Sequence, residues 1–161
     1  MDDVLILTTG GTIDKLYFDA LSTYQVGDSV VDRLLQTARV KLPYRISELM
    51  RKDSLELADG DRAEIAAAVL DAPERRVVIT HGTDTMTETA QALAGIVDKT
   101  IVLVGALAPA RFAESDATFN LGMAFAAVQV AGPGVWIAMN GTVFDGSKVR
   151  KDLSVNAFVG A

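Results

Sequence analysis

Two short segments of this chain concentrate hydroxyls and glycines: Thr8-Thr9-Gly10-Gly11-Thr12 and, much further on, Thr80-His81-Gly82-Thr83-Asp84-Thr85. The chemistry they offer is attack by a hydroxyl. Glycines beside it let backbone approach a ligand closely and leave amides free to donate hydrogen bonds. A threonine hydroxyl is almost fully protonated at neutral pH and needs a base to become a nucleophile. The single histidine, His81, is the first candidate, although its place between an apolar run and Gly82 equally suits orienting a turn or bonding to backbone. Tyr24 and Lys151 are the other available bases. Tyrosine and lysine ordinarily titrate near about 10, so burial or nearby positive charge would have to tune either one.

Both segments also have plainer explanations. Thr8–Thr12 suits a glycine turn with solvated threonines. Thr85 and Glu88 match a capping box, with Thr85 as N-cap, and Asp84 would then serve as a cap as well. The same placement puts Thr83 and Asp84 near the positive end of a helix dipole, where a carboxylate or charge developing on a substrate is stabilised. Competing chemistries find less support. Neither segment carries the lysine and spacing of a phosphate-binding loop or the Gly-x-Gly-x-x-Gly fingerprint. With one histidine and no cysteine, the chain offers no ordinary zinc site and no disulfide.

The elements that would position these residues are legible as apolar runs. Val4–Leu7, Val77–Ile79, Ile101–Val104 and Val135–Met139 lack polar alternation, as expected for parallel strands covered on both faces. Val40–Ile46 is a further strand candidate that Pro43 pushes toward an edge or an irregular segment. Helical stripes lie between the runs. They are Val30, Val31, Leu34, Leu35 and Ala38 after a cap at Ser29; Ile65, Val69 and Ala72 after a turn at Asp59-Gly60-Asp61; Met86, Ala90, Leu93 and Val97; and Phe119, Met123, Ala127 and Val130. Alternating strand and helix predicts a doubly wound, mostly parallel α/β sheet sandwiched by helices. Ligands of such sheets bind beyond the carboxyl ends of the strands, so the two threonine segments should converge there. Asp14–Gly27 fits neither period and reads as a hairpin or mobile loop.

The 161 residues fit one domain with a sizeable core, and half of them are hydrophobic. Fifteen basic and 21 acidic side chains give a net charge of −6, and the basic residues are scattered. A nucleic-acid partner is therefore not expected. The segment MDDVLILTTGG carries acids where a signal peptide carries positive charge, and its apolar run is too short to span a membrane. With the lack of cysteine, the expected location is the cytoplasm.

Thr9-Gly10-Gly11-Thr12-Ile13 resembles the first signature of the bacterial-type L-asparaginases, and His81-Gly82-Thr83-Asp84-Thr85 with Glu88-Thr89-Ala90 resembles the second. Val104-Gly105-Ala106, Pro109 and Asp116 through Phe119-Asn120-Leu121 look like the later part of the same domain. Asp145-Gly146 with Lys151 looks like the approach to the family's catalytic lysine. The match spans essentially the whole chain in order. It implies a Rossmann- or flavodoxin-like α/β domain over residues 1–161 that hydrolyses L-asparagine to L-aspartate and ammonia without a cofactor. By this resemblance Thr12 is the nucleophile that forms an acyl-enzyme, Tyr24 lies in the mobile loop that activates it, and Thr83, Asp84 and Lys151 form a second triad. Gly11, Ser54, Thr83 and Asp84 would bind the substrate, Ser54 through its α-carboxylate and Asp84 through its α-ammonium. The order in which Thr12 and Thr83 attack stays open.

This chain also departs from the family. The usual member continues into a smaller C-terminal domain that lends an acidic residue to a neighbouring site, so the chain resembles the short-chain members or a truncated form. Asp14-Lys15 replaces small residues after the first signature, which is expected to stiffen the lid hinge, and Leu55 replaces a polar residue near the substrate. A homodimer or higher oligomer is expected. Two other readings share the scaffold: a non-catalytic amino-acid-binding module, and a glutaminase-like component supplying ammonia to a transamidation complex. Keeping Thr12, Tyr24, Thr83, Asp84 and Lys151 together argues against the former, because a sensor needs no nucleophile and base.

Overall fold

The computed structural model describes residues 3–161, so Asp2, one of the acids weighed against a signal peptide, lies outside the described residues. The chain order is β1 (Val4–Gly10), a hairpin of β2 (Lys15–Phe18) and β3 (Thr23–Val26), α1 (Val31–Thr37), β4 (Tyr44–Lys52), α2 (Asp59–Asp71), β5 (Arg76–Thr80) and α3 (Met86–Leu93). It continues with β6 (Thr100–Val104), α4 (Ala117–Val130), β7 (Gly134–Met139), β8 (Thr142–Asp145) and a second hairpin of β9 (Val149–Asp152) and β10 (Ala157–Gly160). Six strands form the main sheet in the order β4-β1-β5-β6-β7-β8. All neighbours are parallel except β7 and β8. This is the expected doubly wound, mostly parallel sheet.

The continuous apolar runs are explained by the two-sided core. Leu5, Leu7, Val77, Ile79, Ile101, Leu103 and Ile137 pack in one layer with Ile65 and Val69 of α2 and Met86 and Leu93 of α3. Their sequence neighbours Val4, Ile6, Val78, Val102, Val104 and Ala138 pack in the other with α1 and α4. Each such buried side chain contributes about 1.5–3 kcal/mol relative to exposure. β4 lies at the sheet edge after Pro43, whose carbonyl accepts from the Val4 amide. It starts later than predicted, just after Pro43, which has no amide to donate, and runs on to Lys52 alongside β1.

Four expectations need correction. Asp59-Gly60-Asp61 is the first turn of α2 rather than a loop before it, with the Asp61 carboxylate accepting the Ala58 amide at 2.9 Å. Acidic groups suit that end of the helix dipole. Val97 lies beyond the end of α3 and is exposed. On α4 the predicted stripe is on the wrong side in part: Phe119 and Val130 are 66% and 84% exposed, while Asn120, Leu121, Ala124, Phe125 and Val128 face the sheet. The helix has no charged residue, exposes apolar side chains and buries the polar Asn120, so hydrophobic periodicity cannot select its buried face. Finally, β8, β9 and β10 follow β7 where no strand was predicted, being four residues each with mixed polarity. Among the described residues no helix is long and apolar enough to cross a membrane.

Candidate active site

The order of the main sheet reverses at β1: the chain moves from β1 to β4 on one side and to β5 on the other. The carboxyl ends of β1 and β5 are therefore neighbours, with Thr8 opposite Thr80 in register. Both threonine segments leave the sheet at this switch point. They touch through glycine. A Cβ on Gly11, whose φ is +86°, would stand 2.4 Å from the Gly82 amide nitrogen, and one on Gly82 would stand 2.6 Å from the Ser54 Cβ. Three loops thus cross at a point that admits no side chain. Gly11 does not keep a free amide as expected, because its N–H donates to the Lys52 carbonyl at 2.9 Å.

Thr83, Asp84 and Lys151 meet, although Lys151 arrives from β9 and the other two from the loop after β5. Lys151 Nζ donates to Thr83 Oγ1 at 2.8 Å and to Asp84 Oδ1 at 2.9 Å. Thr83 is buried and the lysine side chain is 14% exposed, so the ion pair with Asp84 is shielded on one side and open on the other. With Lys151 donating to its oxygen, the Thr83 hydroxyl proton is free to point outward. β9 is held in place by its antiparallel partner β10, and the Phe158 amide donates to Asn140 Oδ1 at 2.7 Å.

Ser54 lies beneath this cluster, fully buried. Its Oγ accepts from the amides of Asp84 and Thr85 at 3.1 and 3.3 Å, while its carbonyl accepts the Thr85 hydroxyl at 2.8 Å. That last bond overturns the capping box. Thr85 does hold the N-cap position of α3, but its hydroxyl is committed to Ser54. Glu88 pairs instead with Arg62 of α2 at 3.1 Å. Leu55, next to Ser54, is 73% exposed at the rim.

His81 is the turn's internal brace. Its Nδ1 lies 2.6 Å from the Gly82 carbonyl and its Nε2 lies 2.7 Å from the Thr89 hydroxyl. A carbonyl can only accept, so the ring proton sits on Nδ1 and Nε2 accepts from Thr89. Burial lowers its pKa to about 4. A neutral ring with both nitrogens engaged cannot serve as the base, in line with the turn-orienting alternative. The Gly82 carbonyl sets the tautomer and the Thr89 hydroxyl adapts to it; Thr89 stood out in the sequence only as part of the second signature.

Thr12 and Tyr24, the other two candidates, are carried by separate elements. Thr12 opens a short 3₁₀ turn, Thr12–Asp14, directly after the Gly11 crossing. Tyr24 lies on β3, opposite Tyr17 of β2, so Asp14–Gly27 is indeed a hairpin. The Tyr24 ring is half-exposed and contacts the rings of Tyr17 and Phe112, with centroids 5.4 and 5.7 Å away. Among the described residues no hydrogen bond links Thr12 or Tyr24 to the Thr83-Asp84-Lys151 cluster. Asp14 is more than a hinge residue: it is buried, its carboxylate accepts the Val30 amide at 3.0 Å, and desolvation raises its pKa.

A shielded threonine-lysine-aspartate cluster and a second threonine at the switch point of a doubly wound sheet define an α/β domain equipped for hydroxyl chemistry. Comparison with known proteins names its family. The family model described as Asparaginase, N-terminal, matches residues 3–159. The glutaminase-asparaginase of Acinetobacter glutaminasificans is 33% identical over 174 residues, covering 98% of this chain and 53% of that protein. A component of the glutamyl-tRNA(Gln) amidotransferase of Methanococcus vannielii is 31% identical over 166 residues, covering 94% and 39%. Among solved structures, the thermostable L-asparaginase from Thermococcus kodakarensis superimposes with a TM-score of 0.84 at 29% identity, covering 98% of this chain and 51% of that one. The chain belongs to the asparaginase family, over its N-terminal domain. It spans about half the length of the L-asparaginase and glutaminase-asparaginase it matches.

Proposed function

We propose that this domain hydrolyses L-asparagine to L-aspartate and ammonia through two threonines. The observation that carries the reading is the contact of Lys151 Nζ with both Thr83 Oγ1 and Asp84 Oδ1, made by residues far apart in the chain. Thr12 Oγ attacks the side-chain amide carbon. Its proton passes by way of Tyr24 to the departing nitrogen, and the C–N bond breaks to give ammonia and an acyl-enzyme. Water then attacks the acyl carbon, its proton returns to Thr12 Oγ, and aspartate leaves. Thr83 directs its hydroxyl proton toward the substrate or the water, Lys151 stabilises negative charge on Thr83 Oγ1, and Asp84 balances Lys151 and holds the substrate ammonium. Gly11 lets the backbone approach the substrate. Ser54, expected to bind the α-carboxylate itself, is fully buried and accepts the Asp84 and Thr85 amides, so its part is to support the turn that carries Asp84. No step calls for a cofactor.

Ammonia release from L-asparagine and L-glutamine, measured for wild type beside Thr12→Ala, Thr83→Ala and Lys151→Met, tests the reading. Asparagine turnover that collapses in all three folded variants is the expected result. No turnover of either amide by folded wild type would defeat it. A second reading, a glutaminase-like component of a transamidation complex, is favoured by the similarity to the amidotransferase component. Turnover of glutamine in preference to asparagine would select it. We further propose a homodimer or higher oligomer, supported by Phe119 and Val130 on the outer face of the uncharged α4. A monomeric mass by light scattering at micromolar concentration would sink that assembly.

A further inference from the structure

The hairpin of β2 and β3 leaves the body of the domain on two stalks, near Asp14-Lys15 and Gly27-Asp28, and carries Tyr24 with it. A lone two-stranded hairpin is marginally stable in water, and Tyr17, Phe18, Leu21 and Tyr24 all leave large parts of their surface exposed. Something outside the hairpin must hold it. The two stalks are joined by the Gly27 amide donating to the Asp14 carbonyl at 3.0 Å, and ion pairs tie Lys15 to Asp53 and Arg51 to Asp28.

The strongest grip comes from three consecutive residues in the loop between β6 and α4. The Ala110 amide donates to the Ile13 carbonyl at 3.1 Å, one residue from Thr12. Arg111 reaches both stalks with one guanidinium: Nη1 donates to the Asp14 and Lys15 carbonyls at 2.8 and 3.4 Å, and Nη2 donates to the Asp28 carbonyl at 2.7 Å. Phe112 meets the Tyr24 ring edge-on. This loop is itself firmly built. Asp116 accepts the amides of Leu107 and Ala108 through its carboxylate, and Asn120 donates to the Gly105 carbonyl at 3.0 Å.

We propose that Arg111 and Phe112 are positioning residues: Arg111 fixes the angle of the hairpin by spanning its two stalks, and Phe112 fixes the orientation of the Tyr24 ring on it. The planar fork of arginine can place parallel N–H groups on carbonyls of separate strands, which the single ammonium of a lysine cannot reproduce. The edge-on contact restrains the tyrosine ring in a way that a small side chain at 112 would not. The catalytic consequence rests on the assignment of Tyr24 as part of the machinery; the mechanical one does not.

Two readouts separate these. Amide hydrogen exchange of residues 15–26 is compared in wild type, Arg111→Lys and Arg111→Ala, and the ring resonances of Tyr24 are compared in wild type, Phe112→Ala and Phe112→Tyr. Arg111→Ala should speed hairpin exchange by about tenfold or more while β1, β5 and β6 stay protected, with Arg111→Lys between it and wild type. Phe112→Ala should shift the Tyr24 ring resonances and Phe112→Tyr should restore them. In asparagine turnover, Arg111→Ala and Phe112→Ala should lower kcat by about tenfold with KM changed far less, and Phe112→Tyr should recover kcat. Unchanged hairpin exchange in Arg111→Ala, or unchanged Tyr24 resonances in Phe112→Ala, overturns the proposal. A kcat untouched by both alanine variants in an active enzyme overturns the catalytic consequence, and with it the role of Tyr24. A wild type that turns over no amide defeats the proposed function instead, and exchange and resonances then decide the positioning roles alone.

Discussion

The two halves of the candidate site are built in opposite ways. Thr83, Asp84 and Lys151 sit in a lattice of hydrogen bonds whose floor, Ser54 and His81, is fully buried. Thr12 and Tyr24 stand beside it on a glycine crossing and an exposed hairpin, held through backbone carbonyls and ring edges. The first half rests on a buried floor and is preorganised: Lys151 is already aimed at Thr83 and Asp84 without a substrate, the condition under which electrostatic stabilisation is strongest. The hairpin half gains its order from a few external ties. That arrangement suits a group that must let substrate pass and then close over it.

Several experiments would break or sharpen the contrast. The largest effect belongs to the first half. Thr83→Val or Lys151→Met should lower asparagine turnover by about a thousandfold or more, near 4 kcal/mol of barrier, while circular dichroism shows an intact fold. Next comes His81, whose folded pKa is about 4. Against an unfolded value near about 6.5, the unfolded chain binds the extra proton between those limits, so stability must fall as pH drops through that window. The loss approaches about 3 kcal/mol, and His81→Gln should remove this part of the pH dependence in urea titrations. Parallel pH profiles for the two proteins would refute the buried neutral ring.

Smaller still, Ser54→Ala strands the Asp84 and Thr85 amides without their acceptor and should cost about 1–3 kcal/mol of stability. At the hairpin, Tyr24→Phe removes one hydroxyl from a half-exposed ring. It should leave stability within about 0.5 kcal/mol of wild type, yet slow turnover by about tenfold. If Tyr24→Phe proves as unstable as Ser54→Ala, the contrast between the halves is wrong.

Much of this was legible in the amino acids themselves. A strand buried on both faces has to be apolar at every position, so Val4–Leu7, Val77–Ile79, Ile101–Val104 and Val135–Met139 announced a covered parallel sheet. Glycines and threonines at the ends of those runs marked two segments that do converge at the switch point. The roles of Thr12, Tyr24 and Lys151 came from resemblance, because a lone tyrosine or lysine carries no local signature. Local pattern misled at α4, where no charge marks the outer face, and at Thr85-Glu88, where a sound capping motif was overridden by partners from elsewhere in the chain.

Only the tertiary structure decided what touches what. Lys151 meets Thr83 across 68 positions of sequence, Arg111 meets Asp14 across 97, and Gly11 lies against Gly82 because β1 and β5 happen to be neighbours. Strand order settles the glycine contact, while Lys151 arrives from the separate hairpin of β9 and β10 and Arg111 from the loop after β6. Secondary structure follows from periodicity within a few turns of chain, but the pairing of strands depends on which buried faces and loop closures together have the lowest free energy. Short-range pattern therefore determined the elements and the chemistry on offer, and long-range packing determined which hydroxyl faces which amine.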